Sequence, residues 1–346
     1  MSLTAHLPLV DIAPLLSPAA RPNERETLSR KIDEACRESG FFLIDGHGVD
    51  PSLQPALESA AQSFFDQSDR VKGEVAMPNG GRAWRGWFPL GGELTSGRPD
   101  RKEGLYFGTE HSPNDPRVRA RVALHGPNQF PANPPELRPS VLAWIAAMRP
   151  VADAVMSGIA LALGLPPDWF AKNLTADPTI LFRIFHYPAE PAARVDSEPG
   201  WGVGEHTDYG LLTLLIQDHH GGLQVQTPSG VWLDVDPQPG VIICNLGDML
   251  ERLTGGLYRS TPHRVRNVSG ASRLSFPYFF DPSWGATVPT IPPTGEAEQI
   301  RAQPRWDDAD VQAWTGTYGD YLTAKVARVF PELFEASSLP AGRDSP

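Results

Sequence analysis

Three residues in the second half of the chain have the types and the spacing of a metal site. His206 and Asp208 are separated by one residue, so on an extended segment both side chains point to the same side. His263 follows after several strand-like segments. Two imidazoles and one carboxylate can occupy one face of an octahedral Fe(II) ion and leave its other positions open. The pattern predicts a metal centre, although a His-x-Asp pair alone also occurs at ordinary surface strand ends.

A possible anion site follows the third of these residues. Arg273 and Ser275 lie shortly after His263 in the chain and are themselves two residues apart. A planar guanidinium fork and a hydroxyl on the same side of a strand can bind a carboxylate together. The alternative is that Arg273 closes a surface ion pair.

A third candidate region is the stretch 79–107, which is rich in glycine, tryptophan and charge. Arg82 and Arg85 alternate with Trp84 and Trp87, which combines fixed charge with flat apolar surface. Aromatic and charged side chains on an irregular segment can form the wall of a binding pocket. We therefore predict that Arg85 and Trp87 contact the substrate; the alternative is a surface loop that packs its own tryptophans.

Short strands are predicted to position the metal and anion sites. After Gly164 the sequence consists of short apolar or alternating segments separated by glycine, proline, aspartate or serine. This spacing is typical of a sandwich or a barrel. The predicted strands are 180–186, 211–217, 223–226, 231–235, 241–245 and 273–280.

Helical patterns come before and after these strands, which indicates the α+β class. Apolar residues recur at helical spacing in 25–38, 53–65, 136–163 and a C-terminal stretch that begins at Trp306. Pro150 lies inside the longest pattern, where it is expected to kink or divide the helix. Two further short strands are predicted near 8–12 and 41–44.

Composition excludes some classes of protein. The net charge of the 346 residues is −11, and the basic residues are scattered, which argues against binding to nucleic acid. The first residues do not resemble a signal peptide, and no uninterrupted apolar run approaches the length of a membrane span. The two cysteines, Cys36 and Cys244, do not suggest a disulfide framework. We therefore expect a cytoplasmic protein without a membrane or nucleic-acid partner; its oligomeric state is left open.

Several motifs in the same order resemble a known family. They are GWGVGEHTDYGLLTLL at 200–215, NLGD at 245–248, YRSTPHRV at 258–265 and RLSF at 273–276. This series resembles the iron(II)- and 2-oxoglutarate-dependent dioxygenases, and within them the branch of isopenicillin N synthase and the plant flavonoid and gibberellin oxygenases. The resemblance extends over nearly the whole chain and is sharpest at 180–280.

The resemblance implies a fold and a set of site residues. The fold is a double-stranded β-helix, or jelly roll, flanked by helices. His206, Asp208 and His263 are implied as Fe(II) ligands. Arg273 and Ser275 are implied to hold the distal carboxylate of 2-oxoglutarate, with Tyr187 close to this cosubstrate. The segment before Tyr187 departs from the common plant motif, because Phe185 and His186 stand where Asn and Tyr are usual.

The implied domain organisation is one compact unit, 1–346. It comprises an N-terminal region at 8–125, a catalytic core at 176–284 and a C-terminal helix at 306–335. The implied reaction is hydroxylation or desaturation of a small organic molecule, a specialised metabolite, with O2 consumed and succinate and CO2 released. Two alternatives stay open: an oxidase like isopenicillin N synthase that does not use 2-oxoglutarate, and a non-catalytic metal-binding jelly-roll protein.

Overall fold

Two β-sheets carry most of the residues singled out by the sequence. The computed structural model describes residues 7–95, 97–189, 201–267, 269–291 and 305–330. In these ranges the strands are β1 (Leu9–Asp11), β2 (Phe41–Asp45), β3 (Gly86–Phe88), β4 (Leu94–Thr95), β5 (Arg98–Pro99), β6 (Glu103–Gly108), β7 (Pro178–Tyr187), β8 (Val203–His206), β9 (Leu212–Gln217), β10 (Leu223–Gln226), β11 (Trp232–Val235), β12 (Ile242–Leu246), β13 (His263–Val265) and β14 (Arg273–Ser283).

Helices lie before, between and after these strands. They are α1 (Ala13–Leu16), α2 (Pro22–Glu38), α3 (Leu53–Phe65), α4 (Asp69–Lys72), α5 (Pro116–Arg119), α6 (Leu137–Ala162), α7 (Trp169–Asn173), α8 (Asp248–Leu253) and α9 (Tyr318–Val329). Short 3-10 turns occupy Gly73–Val75 and Met77–Ala83.

The larger sheet has eight strands in the order β1-β2-β12-β9-β14-β7-β6-β3, and the smaller has four in the order β11-β10-β13-β8. Strands β4 and β5 form a separate hairpin. Residues of both sheets line one cavity, so the sheets face each other as the two layers of a double-stranded β-helix. This is the architecture predicted from the motifs.

Alternation along the central strands separates a cavity face from a helix-covered face. On β7, the odd-numbered residues from Leu181 to Tyr187 line the cavity, and Phe182 and Ile184 between them are buried on the opposite face. On β14, alternate residues from Arg273 to Asp281 line the same cavity. The period of two therefore brings Arg273, Ser275 and Tyr187 to one interior surface.

The long helix α6 lies on the outer side of the larger sheet. By length and composition it could cross a membrane, with half of its most apolar window buried inside the protein. It packs against α2 and α3 and contacts β9 and β14. These contacts are those of a core helix.

Of the two outcomes predicted at Pro150, a kink or a division, the division does not occur: the helix α6 continues through Pro150 at the cost of one backbone hydrogen bond. The start predicted for the C-terminal helix needs correction. The C-terminal helix begins at Tyr318 and not at Trp306. The backbone N–H of Asp320 donates to the hydroxyl of Thr317, and the Asp320 carboxylate accepts from the N–H of Thr317, so this capping box fixes the later start. Residues 331–335 of the predicted helix lie outside the described ranges.

The stretch 79–107 is more regular than the sequence indicated. It contains β3 and most of β6, which extend the larger sheet beyond β7. The register pairs Glu103 with His186 and Tyr106 with Arg183. These strands were not predicted because the segment is rich in glycine and charged residues, which are uncommon in strands. Strand propensity depends strongly on what each residue packs against in the fold.

Candidate functional site

The two sheets enclose a cavity of about 350 Å³. The larger sheet supplies its floor, the strands β8, β10 and β13 supply the facing wall, and residues 305–330 cover one side. Its volume lies near the lower end of the range typical of small-molecule sites. All three candidate ligands and both candidate anion-binding residues line it.

The candidate metal ligands converge at one end of the smaller sheet. His206 is the last residue of β8 and His263 the first of β13, and the two are paired directly across the strands. The Nε2 atoms of His206 and His263 lie 3.9 and 3.8 Å from Oδ1 of Asp208. One potential ligand atom from each residue lies within 4.8 Å of the others. This arrangement fits a single ion bound on one face by three protein atoms.

Backbone carbonyls orient both imidazoles. Nδ1 of His206 is 2.8 Å from the carbonyl oxygen of Gly204, and Nδ1 of His263 is 3.2 Å from that of Thr261. A carbonyl can only accept, so each Nδ1 carries the proton and each Nε2 presents its lone pair toward Asp208. Burial, together with the adjacent His263, lowers the pKa of His206 to about 4, so this ring is neutral, as a ligand must be.

The carboxylate of Asp208 is held by one oxygen. Its Oδ2 accepts hydrogen bonds from Thr213 Oγ1 at 2.5 Å and from Asn245 Nδ2 at 2.7 Å. Burial alone raises the pKa of a carboxyl group, but the facing histidines and these two hydrogen bonds leave the pKa of Asp208 below its ordinary value. The carboxylate is therefore ionised, with Oδ1 turned toward the two imidazoles.

The guanidinium of Arg273 is fully buried and only partly satisfied. Nε donates to the carbonyl of Gly221, and Nη2 donates to Gln217 Oε1 at 2.8 Å. The plane lies 4.7 Å from the ring of Tyr187. Within the described part of the chain Nη1 has no hydrogen-bond partner. A buried cationic N–H without an acceptor is costly, and a ligand carboxylate in the cavity would satisfy it.

Two hydroxyl groups lie close to this guanidinium. Oγ of Ser275 is 3.4 Å from the hydroxyl of Tyr187, and both residues are buried. Arg273 is paired with Tyr187 across β14 and β7, which explains why the three side chains meet. The set offers N–H and O–H donors to a dicarboxylate, so the residues present fit 2-oxoglutarate.

Arg85 and Trp87 do not line this cavity, so the structure corrects their predicted position. Arg85 is buried, and its Nη1 and Nη2 each donate at 3.0 Å to the carbonyls of Phe107 and Leu124. The indole N–H of Trp87 donates to Glu103 at 2.8 Å. Both side chains are committed to the protein interior because β3 joins the larger sheet. The segment 79–107 reaches the cavity through other residues, which are Glu93, Leu94, Thr95, Gly97 and Lys102.

The sequence analysis also missed Arg183, a charged residue on the floor of the cavity. Arg183 has the same parity as Tyr187 on β7, so alternation along the predicted strand could have identified it. Its guanidinium lies 4.0 Å from the ring of Tyr106 and 4.9 Å from that of Phe279. Residues of the C-terminal segment that also line the cavity, such as Trp306 and Lys325, had no comparable signal in the sequence.

Comparisons with known proteins agree with this site. The chain matches two family models, "non-haem dioxygenase in morphine synthesis N-terminal" over residues 7–133 and "2OG-Fe(II) oxygenase superfamily" over residues 178–282. A Dictyostelium discoideum protein named probable iron/ascorbate oxidoreductase is 41% identical over 347 residues, covering 94% of this chain and 95% of the relative. A homoarginine-6-hydroxylase of Glycine max is 34% identical, covering 94% of this chain and 98% of the relative. A full-length Neurospora crassa protein, solved in complex with alpha-KG and 5-formyluracil, has a TM-score of 0.75 and 26% identity, with 93% and 96% covered.

The chain therefore belongs to the 2OG-Fe(II) oxygenase superfamily. Within it, the protein is a 2-oxoglutarate-dependent non-haem iron dioxygenase of the isopenicillin N synthase-like branch, with Fe(II) and 2-oxoglutarate as cofactor and cosubstrate. Its partners are a small-molecule substrate and O2. The predicted fold, enzyme class and cofactors are confirmed, and the non-catalytic alternative is set aside.

Proposed function

We propose that His206, Asp208 and His263 hold the Fe(II) ion, and that Arg273, Ser275 and Tyr187 hold the distal carboxylate of 2-oxoglutarate. The observation that carries this proposal is that one cavity contains both a converging His-Asp-His set and a buried guanidinium with an N–H that has no acceptor among the described residues. Oxidising power is supplied by Fe(II), 2-oxoglutarate and O2 when they are bound, with succinate and CO2 as products. The test measures O2 uptake and succinate release together. Both should stop when a chelator removes the metal and resume when Fe(II) is added. O2 uptake without succinate release would indicate the oxidase alternative.

The protein's own contribution is to orient the reactants and to exclude water. The hydrogen bonds at Nδ1 of the two histidines and at Oδ2 of Asp208 fix three ligand atoms before any ion is bound. Apolar side chains, among them Phe185 and Phe279, line the same cavity as the candidate metal and anion residues. A rigid cavity wall that excludes water directs the oxidation to the bound substrate.

We further propose that the substrate is a small amino-acid-like carboxylate bound by Arg183. The cavity has to hold 2-oxoglutarate as well, so little volume is left for the substrate. Among the described residues, Nε of Arg183 is buried without a hydrogen-bond partner, and Nη1 is 3.8 Å from a carboxylate oxygen of Glu93. Glu93 is itself paired with Lys102 at 2.8 Å, so its charge is shared. The relative named for homoarginine, an amino acid, supports this substrate class.

Arg183→Met is expected to remove a preference for carboxylates. Charge-assisted hydrogen bonds contribute about 1.5 to 3 kcal/mol, which corresponds to roughly 10- to 150-fold in KM. The measurement compares succinate formation with homoarginine, arginine and lysine and with the carboxamide of each. We expect the wild type to favour the acids and the variant to lose that preference. Arg70→Met, at an exposed helical position outside the cavity, is the matched control. Equal use of acid and amide by the wild type would refute the assignment.

Asn245→Leu is expected to weaken Fe(II) binding without changing any proposed ligand. Loss of the amide leaves Oδ2 of Asp208 with Thr213 as its one remaining side-chain donor among the described residues, so the carboxylate is less firmly oriented. Hydrogen-bond partners of metal ligands typically contribute about 10- to 100-fold in affinity. Anaerobic calorimetric titration measures the change. Asn128→Leu removes another buried amide, which bonds Gly108 and Glu110 outside the cavity, and should leave the affinity unaltered. Equal losses in both variants would point to general destabilisation.

We propose that the whole chain, 1–346, forms one unit with an N-terminal region (8–125), a catalytic core (176–284) and a C-terminal region (306–335). The continuous hydrophobic core supports this, because it includes residues from β1 through α9. A cytoplasmic location is proposed because both cysteines, Cys36 and Cys244, are buried as free thiols, which suits a reducing compartment.

A further inference from the structure

We infer that Arg305 is a positioning residue that links the C-terminal segment, residues 305–330, to residues 206–210. This second segment, the ligand turn, carries two of the proposed iron ligands. This inference rests on the assignment of His206 and Asp208 proposed above. In the described chain, the Arg305 side chain does not contact His206 or Asp208 directly. It contacts Thr207, which lies between them in the chain.

The guanidinium of Arg305 makes four polar contacts. Nη2 donates to Thr207 Oγ1 at 2.6 Å and to Asp248 Oδ1 at 2.7 Å. Nη1 donates to Glu251 Oε2 at 3.2 Å, and Nε donates to Asp307 Oδ1 at 2.7 Å. Its side chain is 8% exposed. A nearly buried fork with this many defined acceptors has a single orientation.

The ligand turn is held by two connected hydrogen bonds. The backbone N–H of Asp248 donates to the carbonyl of Asp208 at 2.8 Å, which fixes the main chain. The Asp248 carboxylate accepts a hydrogen bond from Arg305, and Arg305 also donates to the Thr207 hydroxyl, which fixes the side chain that lies between the two proposed ligands. Removal of Arg305 therefore leaves Thr207 without this donor and leaves Asp248 with less positive charge to balance it.

The second oxygen of Asp248 extends the same connection to α9. Oδ2 accepts from the Tyr321 hydroxyl at 2.7 Å and lies 3.5 Å from Lys325 Nζ. Asp248 is fully buried, so these partners are needed to stabilise its charge. Burial disfavours the charged guanidinium, but Asp248 and Glu251 keep the pKa of Arg305 above its ordinary value, so the ion pair persists at physiological pH.

The connection joins two sides of the cavity. Trp306 and Asp307, next to Arg305, line it from the C-terminal segment, as do Leu322 and Lys325 on α9. The ligand turn lines it from the smaller sheet. Arg305 thus links the side of the cavity formed by residues 305–330 to the turn that carries two of the proposed iron ligands.

A comparison of two arginine variants tests this role. Arg305→Met is expected to weaken Fe(II) binding by about tenfold or more in anaerobic calorimetric titration. In the metal-free protein, hydrogen exchange at residues 206–210 should be faster. Arg252→Met is the matched control, because Arg252 holds the same segment through the carbonyls of Val311 and Gln312 but does not contact the ligand turn. It should speed exchange in residues 305–330 and leave the Fe(II) affinity within about twofold.

A double-mutant cycle distinguishes a specific effect on Fe(II) binding from the effect of a variant that fails to fold. Thr207→Val keeps the size of the side chain and removes the acceptor, and Arg305→Lys keeps the charge and removes the fork. If Arg305 acts through Thr207, then Thr207→Val weakens Fe(II) binding and adding Arg305→Lys costs little more. Unchanged affinity in both single variants, or an equal loss in Arg252→Met, would overturn the inference. Failure of the wild type to bind one Fe(II), by contrast, would refute the ligand assignment itself.

Discussion

Alanine at His206, Asp208 or His263, introduced one at a time, is expected to abolish succinate formation and O2 uptake. Three protein atoms are the fewest that fix this geometry, and the Nε2 and Oδ1 atoms already face one another at 3.8 to 3.9 Å. Each variant should bind Fe(II) too weakly for a stoichiometric titration, whereas the wild type should bind one ion per chain. The fold should survive, because His206 and His263 lie at strand ends, Asp208 lies in the turn after β8, and the hydrophobic core does not depend on them.

The matched control for the ligand variants is His219→Ala. His219 lies in an exposed turn, so its loss tests the substitution without touching the cavity. Circular dichroism and thermal unfolding should be alike in all four variants. Retention of full activity by any one of the three ligand variants would remove that residue from the set.

Arg273→Lys is expected to raise the KM for 2-oxoglutarate by roughly 10- to 100-fold, and Ser275→Ala by less. The Arg273 guanidinium contacts Gly221, Gln217 and Tyr187, and its Nη1 has no hydrogen-bond partner in the part of the chain that the structure describes. An ammonium group is a point charge and cannot satisfy these carbonyl acceptors and a ligand carboxylate in the same geometry. Rates of 2-oxoglutarate decarboxylation at varied concentration, with the Fe(II) titration as a check on the metal site, provide the measurement.

Two outcomes separate this role from a structural one. Arg273→Lys should change the 2-oxoglutarate KM far more than the Fe(II) affinity, because the contacts of the Arg273 side chain in the described chain are with Gly221, Gln217 and Tyr187 and not with the His-Asp-His set. Unaltered 2-oxoglutarate affinity would mean that the cosubstrate carboxylate is bound elsewhere.

The candidate metal and anion residues could be singled out from the sequence because their signals are local. His206 and Asp208, like Arg273 and Ser275, are two apart on extended segments, so strand geometry alone puts each pair on one side. The meeting of Tyr187 with Arg273 depends on the pairing of β7 with β14, which no local pattern specifies. The family resemblance supplied that relation.

Substrate-side residues could not be assigned because their orientation depends on distant partners. The mixture of arginine and tryptophan in 82–87 fits a pocket wall and a buried strand end equally well. Arg85 faces the carbonyls of Phe107 and Leu124 because β3 pairs with β6. The contact between Arg305 and Thr207 joins residues 98 positions apart and has no counterpart in any short motif.

The position of β8 has a consequence for the metal-free protein. This four-residue strand carries one candidate ligand and leads into another, yet among the described residues it lies at the edge of the smaller sheet, where it pairs with β13. The N–H of Gly204 on this strand donates to Asp100 Oδ1, and the Gly204 carbonyl oxygen lies 2.8 Å from His206 Nδ1, so side chains already satisfy these groups. Coordination of one ion by His206 and His263 would cross-link β8 to its neighbour β13. Loss of iron would then loosen the pairing of β8 with β13 in addition to stopping catalysis.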